Sequence, residues 1–597
     1  MEIASSQDPS DPSSPSSSKS ERSKEDATAS MGVATTNPEL RILAAIGKID
    51  GAPTEFKSCE SVSSAGILMA LPALLSCGLL RHCTRYFTLP AGYYDAIHIF
   101  LMLAFMTLCR VKSIENLSSS PPGEWGKLLG LDRCPSVKTL RAKLGLLTKG
   151  QVSEWSAKLS EEWMQEDPGN VGVLYIDGHT RVYHGAQTEL PKHHVARQRL
   201  CARATCDYWV NGYNGLPFFR VNCAVDPGMI SVLEQEIIPE LERSIPNQPT
   251  KNELKENPQL SRFRLVFDRE GYSPGFFKRQ RANHIACQTY HKHQGADWPI
   301  EEFSLHQVKG ITGEKIEMLL AERGTLLGSK LSEQIWVKEI RKLTQSGKQI
   351  SIVSTEWLAN PGEIACPQFG RWYQENFFKY MRQEFNLDRL IDYNLEEVDD
   401  STRVVNPAWR RIDSVTRAKI GKVARKKVKL HDLTIGGGLS TTQIETYMEK
   451  AALLQEEIEQ DRVEIEELKK QRKLLSKHIE HKDLPEGESF LQLATRSKQF
   501  IDTIKIIAYR AETAMADFVR PLLGEHHKDE ARTYIKKLYQ SEANLVPDEK
   551  EGTLTVEIHS LATPKENEIL KKLCEEINLT QTEYPNTKMK LIYKMVS

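Results

Sequence analysis

Residues 171–179, VGVLYIDGH, decide the fold of this chain. The apolar run VLYI has the length and composition of a short buried β-strand, and Asp177 directly follows it. Residues 263–272, FRLVFDREGY, repeat the pattern, with Asp268 after the apolar run LVF. Acids that follow buried parallel strands lie at the carboxyl edge of a sheet, where α/β proteins place their sites. The two stretches therefore predict two carboxylates at one sheet edge, although many α/β proteins end single strands in this way.

A third acid, Glu375, lies in residues 370–390, GRWYQENFFKYMRQEFNLDRL. Apolar residues recur there at helical spacing and predict a helix that docks on the sheet, namely Trp372, Phe378, Met381 and Phe385. Charged residues share the opposite face of that helix, namely Arg371, Glu375, Lys379 and Arg382. A surface ion pair between Glu375 and Lys379 is the alternative interpretation. Three acids in this order favour one shared site over three unrelated carboxylates.

The segments between the first two acids predict the rest of an α/β domain. ARATCDYWV and PFFRVNCAV are joined by NGYNG, whose Asn-Gly pairs favour a β-hairpin. SVLEQEIIPELERSI then has helical periodicity. The order strand, strand, strand, helix, strand is that of the opening of an RNase H-like α/β domain. We predict this catalytic core over residues 165–287, a β-rich insertion over 288–355 and the final core helix within 356–400.

Residues before the core predict a tail followed by helices. Residues 1–36 are rich in Ser, Pro, Asp and Thr, which predicts a disordered tail. Residues 37–150 are predicted to be a helical DNA-end-binding domain, because SVKTLRAKLGLL at 136–147 has the pattern of a capped basic helix. A solvated face of a helical bundle explains its Lys and Arg equally well. The apolar stretches 62–80 and 97–109 predict buried core helices rather than membrane spans.

Residues 401–440 carry dense positive charge in a chain whose net charge is -1. WRRIDSVTRAKIGKVARKKVKLH at 409–431 predicts a DNA contact, since attraction to phosphates requires local clusters of Lys and Arg. The residues singled out for that contact are Arg410, Arg411, Lys422, Arg425, Lys426 and Lys427. The alternatives are a solvated linker or, in a eukaryotic host, a nuclear-import signal.

Residues 441–482 follow a heptad register of mainly apolar residues, which predicts a coiled coil or a long helical hairpin. The polar residues Asp461 and Arg472 lie in the seam, so the sequence leaves open whether the partner helix belongs to another copy or to the same chain. Residues 483–597 predict a C-terminal α/β or helical domain.

Composition indicates an ordinary globular protein of the cytoplasm. The 11 cysteines form no Cys-x-x-Cys pair, so neither a disulfide framework nor a zinc knuckle is predicted. The opening residues, MEIASSQDPS, lack the charged and apolar regions of a secretion signal. We expect a location in the cytoplasm on the nucleoid, or in the nucleus of a eukaryotic host.

For two sets of residues the sequence does not decide whether the side chains contact DNA or pack within the protein. His179, Arg181 and His184 follow the first acid and either touch DNA or line a hairpin. Trp298 and Trp336 lie in the predicted insertion, where core packing is the simplest explanation for either ring.

YIDGH, VFDREGY and RWYQENFFKYMR resemble the three acidic motifs of bacterial insertion-sequence transposases of the DDE, RNase H-like class. The similarity is to the group with a β-rich insertion before the last acid, and it covers roughly residues 60–597. That group carries a Tyr, an Arg, the Glu and a Lys along one helix. The Arg falls on Arg371 and the Glu on Glu375, whereas Gln368 and Arg382 stand at the Tyr and Lys positions.

The resemblance implies a DNA transposase that cleaves transposon ends and transfers the freed 3′-OH strand into target DNA. It implies catalysis with two Mg²⁺ or Mn²⁺ ions by Asp177, Asp268 and Glu375. It implies contact with DNA phosphates by Arg371, Lys379 and Arg382. The expected partners are double-stranded DNA and a second copy of the chain on that DNA. The alternatives are an RNase H-like nuclease without strand transfer and a non-catalytic DNA-binding or assembly protein derived from a transposase.

Overall fold

The computed structural model describes residues 37–596 with gaps at 187, 189, 196–199, 311–313, 390–393, 434–440 and 525–529. The side chains of His194, Trp372, Tyr373 and Gln443 also lie outside the described part. The predicted tail at 1–36 and the predicted docking of the Trp372 ring therefore fall outside the described residues.

The largest sheet has ten strands and contains both acid-bearing stretches. After β1 (Cys59–Val62), which belongs to a second sheet, the ten strands are β2 (Val173–Val182), β3 (Lys192–Val195), β4 (Leu200–Asn211), β5 (Pro217–Cys223), β6 (Phe263–Phe267), β7 (Ile285–Tyr290), β8 (Ser304–Lys309), β9 (Lys315–Leu327), β10 (Ile335–Leu343) and β11 (Gln349–Ser354). Their spatial order is β3-β4-β2-β6-β7-β11-β10-β9-β8, with β5 paired to β4. Strands β2, β6 and β7 are parallel, whereas β4 runs antiparallel to both β2 and β5.

Helices cover this sheet and form both flanks of the chain. Before β2 they are α1 (Pro38–Ala45), α2 (Leu71–Ser76), α3 (Cys83–Tyr86), α4 (Ala96–Leu108), α5 (Pro122–Leu128), α6 (Val137–Leu147) and α7 (Val152–Glu166). Within the core region they are α8 (Met229–Val232), α9 (Ile238–Ser244), α10 (Lys251–Glu256), α11 (Pro274–Ala282), α12 (Pro361–Phe369) and α13 (Trp372–Phe385). After it they are α14 (Pro407–Asp432), α15 (Thr441–Leu474), α16 (Arg496–Leu523), α17 (Ala531–Tyr539) and α18 (Pro564–Leu579).

Strand β2 continues past Asp177, so the prediction that the strand ends at this acid is wrong. Its parallel pairing with β6 reaches Ile176, opposite Phe267. Its antiparallel pairing with β4 goes on to Val182, opposite Ala204. Strand β4 supplies hydrogen-bond partners that the sequence of β2 does not reveal. Asp177 therefore lies where the described parallel pairing stops, in the middle of a longer strand.

The strands of the predicted insertion extend the same sheet. Strand β11 pairs antiparallel with β7, placing Ile352 opposite Tyr290, and β10, β9 and β8 follow outward. Helix α12 covers one face of this extension, and Ile364 packs there with Leu320 and Ile340. The insertion is thus rigidly joined to the acid-bearing strands through continuous backbone hydrogen bonds.

The N-terminal helices share one hydrophobic core with the end of the chain. The last strands are β12 (Leu395–Glu396), β13 (Arg403–Val405), β14 (His478–Glu480), β15 (Gln492–Leu493), β16 (Ala543–Asp548), β17 (Thr553–His559) and β18 (Lys590–Val596). Strand β1 pairs with β16, which gives a second sheet of order β1-β16-β17-β18. The ring of Phe500 in α16 lies 5.2 Å from Phe100 and 5.5 Å from Trp155. Residues 37–150, which were predicted to be helical, thus contain one strand, β1, and its partner β16 lies near the other end of the sequence.

Both apolar stretches near the N-terminus are buried, as predicted. Residues 65–70 are fully enclosed, and the side chains of α4 from Ile99 to Phe105 are buried. Ser136 accepts a hydrogen bond from the Thr139 N–H and caps α6, also as predicted. None of the helices described for this chain has the length and apolar character needed to cross a bilayer.

Helices α14 and α15 pack against each other as a hairpin of one chain. Val423 of α14 is buried against Ile458 and Ile465 of α15. The polar seam residues are also used within the chain, since Asp461 binds the Lys426 ammonium at 2.6 Å and Arg472 binds Asp413. The heptad seam predicted from sequence is therefore covered by α14, and any contact between copies needs a different surface.

Candidate active site

Asp177 and Asp268 lie beside each other because their strands are parallel neighbours. Ile176 is in register with Phe267, and each acid is the next residue. The Asp177 carboxylate accepts the Gly178 N–H at 3.0 Å, and the Asp268 carboxylate accepts the Glu270 N–H at 2.7 Å. These backbone donors fix both carboxylates at the sheet edge.

The position of Glu375 is set by the docking of α13 on the sheet. The buried Gln374 side chain donates to Asn211 Oδ1 at 3.0 Å and to the Tyr175 carbonyl at 3.4 Å, which pins the first turn of the helix to β2 and β4. Phe378 lies against the sheet, and the ring of Phe377 is 5.3 Å from that of Trp209. Glu375 itself is exposed in the first turn, where a helix N-terminus favours negative charge.

The three carboxylates share one electrostatic environment. Burial raises the pKa of Asp177, the Arg371 guanidinium at 3.7 Å opposes that rise, and the charges of Asp268 and Glu375 add to it. The resulting pKa of Asp177 is about 6, compared with an ordinary value of 3.8. Burial of the Asp177 carboxyl is thus the largest cause of its raised pKa.

The donor set suits a divalent cation by its chemistry. All three side chains offer hard carboxylate oxygens, which Mg²⁺ and Mn²⁺ prefer, and a cation would relieve the repulsion that Asp177 experiences. Within the described residues, no three His, Cys, Asp or Glu side chains stand close enough together to hold an ion. Glu375 is exposed to solvent.

The predicted phosphate-contacting residues of α13 differ in exposure. Arg371 is 8% exposed and faces Asp177, whereas Lys379 is exposed to solvent. The Arg382 guanidinium donates to the Phe378 carbonyl at 3.2 Å. Gln368, at the position of the family's Tyr, is buried and donates to the Phe267 carbonyl at 3.4 Å.

The six basic residues singled out in α14 form two groups. Carboxylates within 4.0 Å are bound by Arg411, Lys422 and Lys426. No ion pair within the described ranges is formed by the exposed side chains of Arg410, Arg425 and Lys427. The second group is therefore the better available for phosphates.

Most of the residues for which the sequence did not decide between DNA contact and packing make contacts within the protein. The His179 ring stacks on Phe378 at 5.1 Å and its Nε2 lies 2.5 Å from Asp388, while buried Arg181 binds Asp207 at 2.7 Å. Trp298 is buried beneath the guanidinium groups of two arginines, as core packing predicts. Trp336 is 60% exposed.

A cleft beside Asp268 contains residues that sequence reasoning missed. It is lined by Asp268, Arg269, Tyr290, Gln294, Lys348, Gln349, Ile350 and Arg371. Arg269 is adjacent to the second acid and was visible in its motif. Lys348 comes from the turn between β10 and β11, and no local pattern connects that turn with the acids.

The negative charge at Asp177 predicts that its removal stabilises the metal-free protein. An acid whose pKa is raised in the folded state lowers the free energy of unfolding above about pH 6. This loss of stability becomes smaller as the pH falls towards 4. We expect Asp177→Asn to raise the free energy of unfolding at pH 8 by about 1–3 kcal/mol, with little difference near pH 4. Added Mg²⁺ should raise the melting temperature of the wild type more than that of the variant. A variant less stable than the wild type at pH 8 without metal would contradict this account.

Comparison with known proteins identifies the family of the chain. The model of a family described as transposase protein matches residues 32–597. The chain belongs to this transposase family. No curated protein sequence matches the chain.

Proposed function

We propose that the chain is a DDE transposase that cleaves transposon ends and joins them to target DNA. Membership of the transposase family supports a role in DNA rearrangement. The observation that carries the chemistry is the placement of Asp177 and Asp268 side by side on parallel strands, with Arg371, at the start of the helix that bears Glu375, 3.7 Å from Asp177. Converging carboxylates are what metal-assisted phosphodiester cleavage requires.

The strand order supports an RNase H-like core around these acids. Strands β5, β4, β2, β6 and β7 lie side by side, with an antiparallel half and a parallel half that share β2. The helix that carries Glu375 lies across β2 and β4. The place where the parallel pairing of β2 and β6 stops and one helix therefore supply all the proposed reactive groups.

In this proposal Asp177, Asp268 and Glu375 would hold two Mg²⁺ or Mn²⁺ ions, and the chemistry that bound ions would supply is activation of water and stabilisation of the leaving oxygen. Hydrolysis breaks the bond between phosphorus and the 3′ oxygen, so the transposon strand ends in a 3′-OH. In joining, that 3′ oxygen attacks a target phosphate and the target's own 3′ oxygen leaves. The backbone donors at Gly178 and Glu270 hold the two aspartates in place for both steps.

Double-stranded DNA is the proposed partner at two surfaces. Arg371, Lys379 and Arg382 lie along the helix that bears Glu375, and the exposed cations of α14 lie on the hairpin. A homodimer on DNA is proposed because two ends must be joined, and its interface lies outside the hairpin seam. We place the protein with DNA, on the nucleoid or in a nucleus.

A joining assay tests the proposal. Precut duplexes that carry the inverted repeats flanking the reading frame and end in a 3′-OH are incubated with plasmid and Mg²⁺. We expect joined products, and none from ends that terminate in a 3′-dideoxy nucleotide, because the 3′ oxygen is the nucleophile. Cleavage without joining would indicate a nuclease. DNA binding with neither reaction would indicate a non-catalytic descendant.

A further inference from the structure

The cleft beside Asp268 brings three cations together from separate parts of the chain. Arg269 follows the second acid, Arg371 precedes the helix of Glu375, and Lys348 comes from the predicted insertion. Asp268 is the one carboxylate among the residues that line this cleft. The cleft therefore carries an excess of positive charge directly beside a centre that is otherwise acidic.

Arg371 has donor capacity that the protein does not use. Its side chain is 9% exposed, and its Nε–H has no hydrogen-bond partner within the described structure. A buried guanidinium N–H without a partner costs free energy unless a ligand accepts it. Arg371 lines the cleft, and one terminal nitrogen of its guanidinium lies 3.7 Å from the Asp177 carboxylate.

The other two cations are held at the mouth of the cleft and are available. Arg269 and Lys348 are exposed and form no ion pair in the described part of the chain. Lys348 ends a tight turn in which the Thr344 N–H donates to the Lys348 carbonyl at 2.9 Å and Gly347 has a φ of 78°. This turn is anchored by β10 and β11, so the insertion presents Lys348 at a fixed place.

We propose that Arg269, Lys348 and Arg371 form a binding site for one phosphodiester of the DNA strand, next to the phosphate that is cut. The three cations surround a cleft rather than a flat surface, and guanidinium groups bind phosphate oxygens through paired N–H donors. The inference rests on the proposed function. It gives the insertion a specific role in substrate binding, because the insertion supplies Lys348 to the DNA strand.

The test measures DNA binding by catalytically inactive protein, so it does not depend on cleavage. In an Asp177→Asn background, Arg269→Ala with Lys348→Ala should weaken binding of a duplex transposon end about 10- to 100-fold. It should also lower the slope of log Kd against log salt by about 1, because the contact with this one phosphate is lost and each phosphate contact releases roughly one counterion. Lys251→Ala with Lys315→Ala is the matched control, since both lysines are exposed and lie outside the cleft.

Neutral methylphosphonate linkages locate the bound phosphate. Each linkage flanking the cleavage site is replaced in turn, and the Kd of every duplex is measured with both proteins. We expect one position at which the substitution weakens binding to the parent protein but not to the Arg269→Ala, Lys348→Ala variant. Equal losses for both proteins at every position would overturn the inference. That outcome leaves the proposed function intact, because cleavage and joining are measured separately with the wild type.

Discussion

Asp177→Asn, Asp268→Asn and Glu375→Gln will each lower the rate of transposon-end cleavage by at least about 1,000-fold, on the order of 4 kcal/mol in the barrier. Each change removes one negative group from the proposed metal centre, which needs the carboxylates of all three residues. The side-chain shapes are nearly unchanged, so we expect binding of duplex ends to remain within about threefold. Single-turnover cleavage of a labelled duplex in Mg²⁺ measures the rate.

The matched control is Glu301→Gln, which removes one exposed carboxylate from the short helical turn at Ile300–Glu302, outside the cleft beside Asp268. This variant should cleave at the wild-type rate. If any of the three proposed acids can be neutralised without a large loss of cleavage, that residue is not part of the reactive centre. Loss of DNA binding together with cleavage would point to a folding defect instead.

Neutralising the unpaired cations of α14 will have the largest effect on DNA affinity. We expect Arg410→Ala, Arg425→Ala and Lys427→Ala, combined in one protein, to lower the slope of log Kd against log salt by about 3. The affinity at 0.1 M salt should fall about 100-fold, because phosphate contacts dominate binding to duplex DNA. Titration of a labelled duplex at several salt concentrations gives both quantities.

A second triple variant tests whether DNA affinity depends on the cations of α14 that bind no carboxylate or only on the total positive charge of this helix. Arg411→Ala, Lys422→Ala and Lys426→Ala remove the same three charges, but these side chains already bind Glu488, Asp461 and Glu457. Their loss should change the salt slope by less than half as much. Equal slopes for the two variants would show that the internal ion pairs do not restrain these cations. An unaffected slope in the first variant would remove α14 from the DNA-binding surface.

Much of the candidate site follows from local sequence patterns. Apolar runs before Asp177 and Asp268 identified two adjacent buried strands, because such runs are stable only when both faces are covered. Helical spacing around Glu375 identified the docked face of α13, including buried Phe378 and Met381. Two of the heptad positions of α15, Ile458 and Ile465, are buried against α14, whereas Ile444 is exposed.

Other features depend on residues far away in the chain. The extension of β2 to Val182 depends on β4, and strand β1 exists because β16 lies beside it. Whether the cations of α14 are available depends on which of them meet acids on α15. Lys348 reaches the cleft of Asp268 only through the order of strands in the sheet.

The sequence alone determined the local elements, the acids and their place beside buried strands, because spacing and apolarity act over a few residues. Tertiary structure decided which strands pair, which charges neutralise one another and which helix fills the heptad seam. Each of these outcomes is a contact between distant segments. The local sequence of one segment does not specify the position of the other, so the contact is known only from the folded structure.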